Sequence, residues 1–352
     1  GYTFVGWYPN KECTVKISDG TFTPTSNMTL YAGWKENTYT IVYDGNGATG
    51  GSTANSSHTY DTAKNLTANG YTKTGYAFAG WNTKSDGTGT KYSNNESVKN
   101  LATSGTVTLY AQWAVNTYTV SYNYNGATGR NTETSKTVTY GDTYGTLPSP
   151  TRAYTITFDS KGGDTCNSQT ASWTFWGWYN GSTKVDSTTK VTTESNHTLS
   201  ASWNGGTISL PTPTKAGYTF GGWTTSDGTS VSNSTQFTAN TTLYANWTAG
   251  SSEVSFNYNG ATGNNGTAKK AVTYNEKYGE LPEPTRAYTI AFNSNGGTTC
   301  NSQTATWNFG GWYNGSTKVD KDTIVSTVGN HTLTASWSGG TISLPTPTKT
   351  GY

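Results

Sequence analysis

Tyr118-Thr-Val-Ser-Tyr-Asn-Tyr124, running straight into Asn125-Gly126, decides how this chain is read. Tyr118, Val120, Tyr122 and Tyr124 fall on one face at a period of two, and Thr119, Ser121 and Asn123 fall on the other. That alternation marks a strand with one buried and one wet side. Asn and Gly then supply the positive φ of a tight turn. Tyr154-Thr-Ile-Thr-Phe158 before Lys161-Gly-Gly163 reads the same way, as does Tyr288-Thr-Ile-Ala-Phe292 before Asn295-Gly-Gly297. Leu109, Ala111 and Trp113 alternate too, and so do Leu243, Ala245 and Trp247. No window longer than about ten residues has a helical period, and Thr, Gly and Asn are poor helix formers. Tyr140-Gly-Asp-Thr-Tyr-Gly-Thr-Leu147 and its copy Tyr274-Asn-Glu-Lys-Tyr-Gly-Glu-Leu281 read either as one helical turn crossing the sheet or as a loop. The expected fold class is mainly β.

Outward from this strand the chain repeats itself. Val120-Ser-Tyr-Asn-Tyr-Asn-Gly-Ala-Thr-Gly129 returns as Val254-Ser-Phe-Asn-Tyr-Asn-Gly-Ala-Thr-Gly263, an offset of 134 that also carries Cys166 to Cys300 and Trp203 to Trp337. A simpler unit fills 37–113, from Thr40-Ile-Val-Tyr-Asp-Gly-Asn-Gly-Ala-Thr-Gly50 through Gly75-Tyr-Ala-Phe-Ala-Gly-Trp81 to Thr108-Leu-Tyr-Ala-Gln-Trp113. Residues 1–34 match only the second half of such a unit, and the chain ends, at Gly351-Tyr352, where that half would begin. Both ends cut a module at one phase, which reads as a window on a longer repetitive chain. In the longer unit, Gly145-Thr-Leu-Pro-Ser-Pro-Thr-Arg-Ala153 and Ser209-Leu-Pro-Thr-Pro-Thr-Lys-Ala216 duplicate one seam. The expected wiring is nested: an inner module at about 154–210, inside an outer one made of 116–153 plus 211–247. Plain tandem order, 116–203 then 204–247, is the other reading, and 252–352 is a second copy of the composite, truncated.

Composition narrows the class. The chain's 352 residues include 42 Gly, 13 Trp, 25 Tyr and 10 Phe, and about a fifth of them are Thr. Leu, Ile, Val and Phe together supply only 44. Joined to a large net charge, such aliphatic poverty would mean disorder. The net charge is only +2, so cores built from aromatics are expected instead. With no cluster of Lys or Arg, nucleic acid is not an expected partner. No run of about 18 apolar residues forms a membrane span in this segment, and any signal peptide lies outside it.

Four motifs in sequence order resemble a known family. They are Val-x-[Tyr/Phe]-x-x-x-Gly; Val-Thr-Tyr-Gly-x-x-Tyr-Gly-x-Leu-Pro-x-Pro-Thr-[Arg/Lys]; Gly-Tyr-x-Phe-x-Gly-Trp; and Thr-Leu-x-Ala-x-Trp. Together they resemble the Listeria–Bacteroides repeat, the B-repeat type of module in internalin-like bacterial surface proteins, over nearly the whole chain. The resemblance implies small β-grasp-like modules strung into an elongated array on secreted or wall-anchored proteins, serving as spacers and adhesive elements. It brings no catalytic residues. Two departures stand out: the family pattern has no Cys at Cys166 or Cys300, and the doubled Leu-Pro-x-Pro-Thr seam is unlike a simple tandem array.

The chemistry-bearing residues are few. Cys13, Cys166 and Cys300 are candidates for disulfide bonds with partners the sequence does not fix, and free or buried thiols are the alternative. His58, His197 and His331 have no metal-ligand spacing and read as surface loop residues; no metal or other cofactor is expected. Asp86-Gly87 and Asp227-Gly228 read as turns. Trp173, Trp176 and Trp178 could form a sugar platform, but the copy holds Trp307, Gly310 and Trp312, so core packing is the better reading. No catalytic motif appears, and repetition would duplicate any active site. The expected function is a non-enzymatic extracellular stalk, fibre or spacer at the cell surface or wall. An adhesin binding glycan or host protein through Tyr and Trp faces is the alternative, and a filament built by pairing of edge strands is a third reading.

Overall fold

A computed structural model describes residues 1–351, and every regular element among them is a β-strand. The segment 140–147 is a loop fastened by a Thr143↔Lys190 bridge, and its copy is a loop bridged Lys277↔Ile324. Pro148 and Pro282, just beyond each, hold the exit extended.

In the simplest complete module, Thr38–Asp44 runs between Ser56–Thr59 (antiparallel) and Gly105–Val115 (parallel). Tyr76–Asn82 lies antiparallel along the far side of Gly105–Val115, with Lys91–Tyr92 outside it. Opening and closing strands are therefore parallel neighbours, which requires a long connection between them; here that connection carries the module's other strands, Ser56–Thr59, Tyr76–Asn82 and Lys91–Tyr92 among them, in place of a helix.

The Gly-Tyr-x-Phe-x-Gly-Trp strand works by a bulge. Phe78 and Trp81 are three residues apart, so a regular strand would send them to opposite faces. The register slips here: Trp113 pairs with Phe78 and Gln112 with Gly80, leaving Ala79 extra. That one added residue turns Trp81 back to the face of Phe78. The glycine before each such Trp (Gly6, Gly80, Gly177, Gly222, Gly311) sits at φ between +105° and +143°, where side chains are strongly disfavoured. The aromatic core follows. Trp81, Trp178, Trp223 and Trp312 are at most 2% exposed. Each meets the strand's Phe, which also meets the closing strand's Trp, with centroids 5.0–5.8 Å apart. Around this triad pack the alternating residues of the opening and closing strands, such as Ile41, Tyr43, Leu109 and Ala111.

The indoles also tie the ends of strands. Trp113, Trp203, Trp247 and Trp337 donate to the carbonyls of Gly45, Tyr124, Ser160 and Tyr258, just past each opening strand, at 2.8–3.1 Å. Trp178, Trp223 and Trp312 donate to the Pro148, Pro211 and Pro282 carbonyls of the Leu-Pro seams at 2.7–2.8 Å. Trp81 has no Leu-Pro seam nearby, and its buried indole N–H has no partner.

The chain divides into two compact units: Gly1–Thr151 with Phe175–Asn204, and Arg152–Thr174 with the described chain from Gly205 onward. In the first, Thr117–Asn123 pairs antiparallel with Ser135–Thr139 and parallel with His197–Gly205, over a core of Val120, Tyr122, Trp178 and Leu199. In the second, Arg152–Asp159 pairs antiparallel with the start of Gln169–Asn180 and parallel with Thr241–Ala249, over Ile156, Phe158, Trp223 and Leu243. This corrects the nested wiring: residues 120–124 take strand partners from 134–136 and 197–200, and none from 217–247. Tandem order is not followed either, because the Trp223 core needs 152–174 as well as 205–249. The two modules are interleaved, each using two lengths of chain. The physical reason lies in Gln169–Asn180, twelve residues of unbroken strand with no turn signal inside. Its first half does for one module what Ser56–Thr59 does in the simple unit, and its second half does for the other what Tyr76–Asn82 does.

The contrast between filled and open cores is testable. Trp223→Ala is expected to cost about 3–5 kcal/mol, read as lost hydrogen-exchange protection in Thr241–Ala249. Trp34→Ala, at a residue 59% exposed, is expected to change stability by less than about 1 kcal/mol. Similar costs for both would contradict the aromatic-core account.

Candidate functional site: the exposed aromatic faces

The three tryptophans of the Gln169–Asn180 strand are not a platform. Trp178 is buried. Trp173 has the Arg152 guanidinium 4.2 Å above its ring, and its indole donates to the Phe237 carbonyl at 2.9 Å. Trp176 alone is open, at 55% exposure, with the Lys184 ammonium 5.5 Å from its ring. In the copy Arg286 covers Trp307 at 4.2 Å, Trp312 is buried, and Gly310 replaces Trp176. Among the described residues, no exposed large apolar side chain is exposed again 134 positions on: Trp176 becomes Gly310, while Tyr288 and Ile290 correspond to the less exposed Tyr154 and Ile156.

Exposed aromatics instead gather in residues 1–36, where Tyr2–Tyr8 pairs with Tyr31–Glu36 alone. Phe4 stands 5.5 Å from both Trp7 and Trp34, so the triad is assembled here too. All three rings are at least 45% exposed. Phe22 lines a shallow cleft beside Trp7 with Ile17 and Leu30.

Cys13, Cys166 and Cys300 are free thiols of intermediate exposure. Each Sγ donates weakly to the carbonyl two residues earlier: Lys11, Asp164 and Thr298. Burial pushes the Cys166 thiol up. Asp86 and Asp227 are turn residues as read, accepting from Thr88 and Thr229 backbone N–H at 3.0 Å. A hydroxyl bond from Thr225, with the Thr229 amide, brings the Asp227 carboxyl down to about 2. Among the described residues no three His, Cys, Asp or Glu side chains converge into a metal-binding group.

The histidines depart from expectation. His58 is 1% exposed, in the Ser56–Thr59 strand, stacked on Tyr39 at 5.5 Å, with Nε2 2.9 Å from the Ser56 hydroxyl. His197 and His331 open strands, not loops, and sit 2.7 Å from the Tyr144 and Tyr278 hydroxyls. The sequence held a signal for His58. It stands where Val138 and Val272 stand in the other units, before the same Thr-Tyr.

Closed aromatic cores thus take the place of a binding platform, and the fold defines a class: a multi-module array of small all-β repeats. The chain belongs to the Listeria-Bacteroides repeat domain family, whose profile matches residues 1–33, 39–112, 118–153, 171–202, 204–246 and 253–287. A stretch of 119 residues is 37% identical to a "Putative membrane protein" of Evansella cellulosilytica, covering 33% of this chain and 18% of that protein. Another of 117 residues is 34% identical to Internalin H of Listeria monocytogenes, covering 33% of this chain and 20% of that protein. The chain therefore spans about a fifth of the length of these relatives. It is built from a repeat domain of bacterial surface proteins.

Burial, with Lys64 adding to it, holds the His58 imidazole below its ordinary range. The folded module therefore favours the neutral ring more than the unfolded chain does. That stability is present above about pH 6.5, the unfolded ring's value, and is lost as the pH falls from there through the lower value of the folded ring. Acid titration of unfolding for the 37–115 module is expected to show this loss, and His58→Gln is expected to flatten it. Equal pH profiles would contradict the assignment.

Proposed function

We propose that this chain is a non-enzymatic spacer of the bacterial cell exterior: an elongated run of β-grasp-like modules that holds another domain, or the cell, at a distance. The observation that carries this reading is closure. In the complete modules the core Trp is covered by the module's own strands, and among the described residues no exposed aromatic patch recurs at the repeat spacing. A binding face serving a repetitive adhesin would be expected to repeat with the modules. A net charge near zero limits self-repulsion along the array, and linkers of one residue limit bending.

Small-angle scattering across a wide concentration range tests this reading. An elongated particle whose mass and length do not change with concentration is expected. Growth with concentration would replace the spacer with edge-to-edge assembly.

A further inference from the structure

At three seams the chain passes between modules through one residue: Asn37, between Tyr31–Glu36 and Thr38–Asp44; Asn116, between Gly105–Val115 and Thr117–Asn123; and Gly250, between Thr241–Ala249 and Ser251–Asn257. The backbone of that residue is bonded in both directions. Its N–H donates to the glycine carbonyl of the preceding module's Gly-Tyr pair, at 2.9 Å to Gly1, 2.9 Å to Gly75 and 2.8 Å to Gly217. Its carbonyl accepts from the N–H of a tyrosine at the end of the following module's second strand, at 2.9 Å from Tyr60, 3.0 Å from Tyr140 and 2.9 Å from Tyr274.

Side chains close the same joint. The pairs Tyr2–Tyr60, Tyr76–Tyr140 and Tyr218–Tyr274 meet edge to face, with centroids 5.6, 6.4 and 5.5 Å apart. The glycine lies directly against the receiving ring. A Cβ on Gly1, Gly75 or Gly217 would come within 2.0–2.4 Å of ring atoms of Tyr60, Tyr140 or Tyr274. Gly75 and Gly217 also hold φ of +77° and +79°, so two independent constraints exclude a side chain. Seam-specific bonds add to this: Tyr2 Oη donates to Asp61 at 2.6 Å, and the Gly75 N–H donates to Glu194 at 3.3 Å. The equivalent strands that do not lead into a one-residue seam lack the pair. Gln169–Asn180 has Ser172-Trp173 in its place, and Gln303–Asn314 has Thr306-Trp307.

We propose that each Gly-Tyr pair is a plug, and the Tyr closing the next module's second strand its socket, forming a joint that fixes the orientation of successive modules. The partner this surface fits is another module of the same repeat. Two modules on a flexible linker would move independently by default; here the linker residue has both backbone groups bonded and a tyrosine ring seated on the glycine beside it. The joint stands on its own, whatever task the array performs.

The test is a distance distribution across the second seam by pulsed electron paramagnetic resonance. Spin labels go on Lys91→Cys and Ser182→Cys, both at exposed positions, in the full chain with its native cysteines changed to Ser. The unaltered seam is expected to give one narrow distance. Gly75→Val, and separately Tyr140→Ala, are expected to broaden it about twofold or more, toward the freedom of unfixed domains. Hydrogen exchange in Thr38–Asp44 and Thr117–Asn123 should remain unchanged. Equal widths in all three chains would overturn the joint. If Gly75→Val also unfolds its module, Tyr140→Ala decides alone, and an unchanged width there overturns the proposal.

Discussion

Everything in this fold depends on one indole per module reaching the core face from a position that a regular strand would turn outward. The β-bulge at Gly-Trp provides this reach, and the backbone it requires is open almost only to glycine. Once Trp81, Trp178, Trp223 or Trp312 is inside, the rest follows. Its ring meets the Phe three residues before it, that Phe meets the Trp of the closing strand, and that Trp bonds back to the end of the opening strand. Three rings thus hold the three strands of a small sheet that has few aliphatic side chains to bury. In so Leu-poor a chain, aromatic area supplies the core.

The hydrogen-bond ends of these indoles explain a further sequence feature. The Leu-Pro seams hold extended backbone, and a carbonyl, where the core Trp can donate. The 37–115 module lacks the seam and leaves the Trp81 N–H unpaired, with Tyr71 packed edge-on 6.3 Å away. The same module carries His58 where the Trp178 and Trp312 modules carry valine and the Trp223 module carries Ala171. Its buried histidine makes it the module expected to lose stability in acid.

Much of this was legible in the sequence. Period-two alternation marked the opening and closing strands, because each has one wet face, and Thr117–Asn123 and Arg152–Asp159 fall where it put them. Asn-Gly turns and the 134-residue repeat were equally plain. The wiring was not. The duplicated Leu-Pro-x-Pro-Thr suggested an insertion, but the decisive feature was a missing one, the absence of any turn between Gln169 and Asn180. The fate of the aromatics was half legible. Trp178 against Trp176 cannot be sorted by alternation, since both lie on the same parity and only the bulge separates them. His58 was misread because composition alone places a histidine outside, whereas its alignment with Val138 places it within.

The central claim is that the bulge glycine, and not glycine content in general, places the core indole. Gly221 and Gly222 offer an internal comparison. Gly222 sits at φ +105°, whereas a Cβ on Gly221 would find ordinary contacts at 3.4 Å and beyond. Hydrogen exchange resolved to Tyr218–Thr224 and Thr241–Ala249 should show Gly222→Val stripping protection from both strands and Gly221→Ala leaving it intact. Protection retained in Gly222→Val, or lost equally in both variants, would contradict the account.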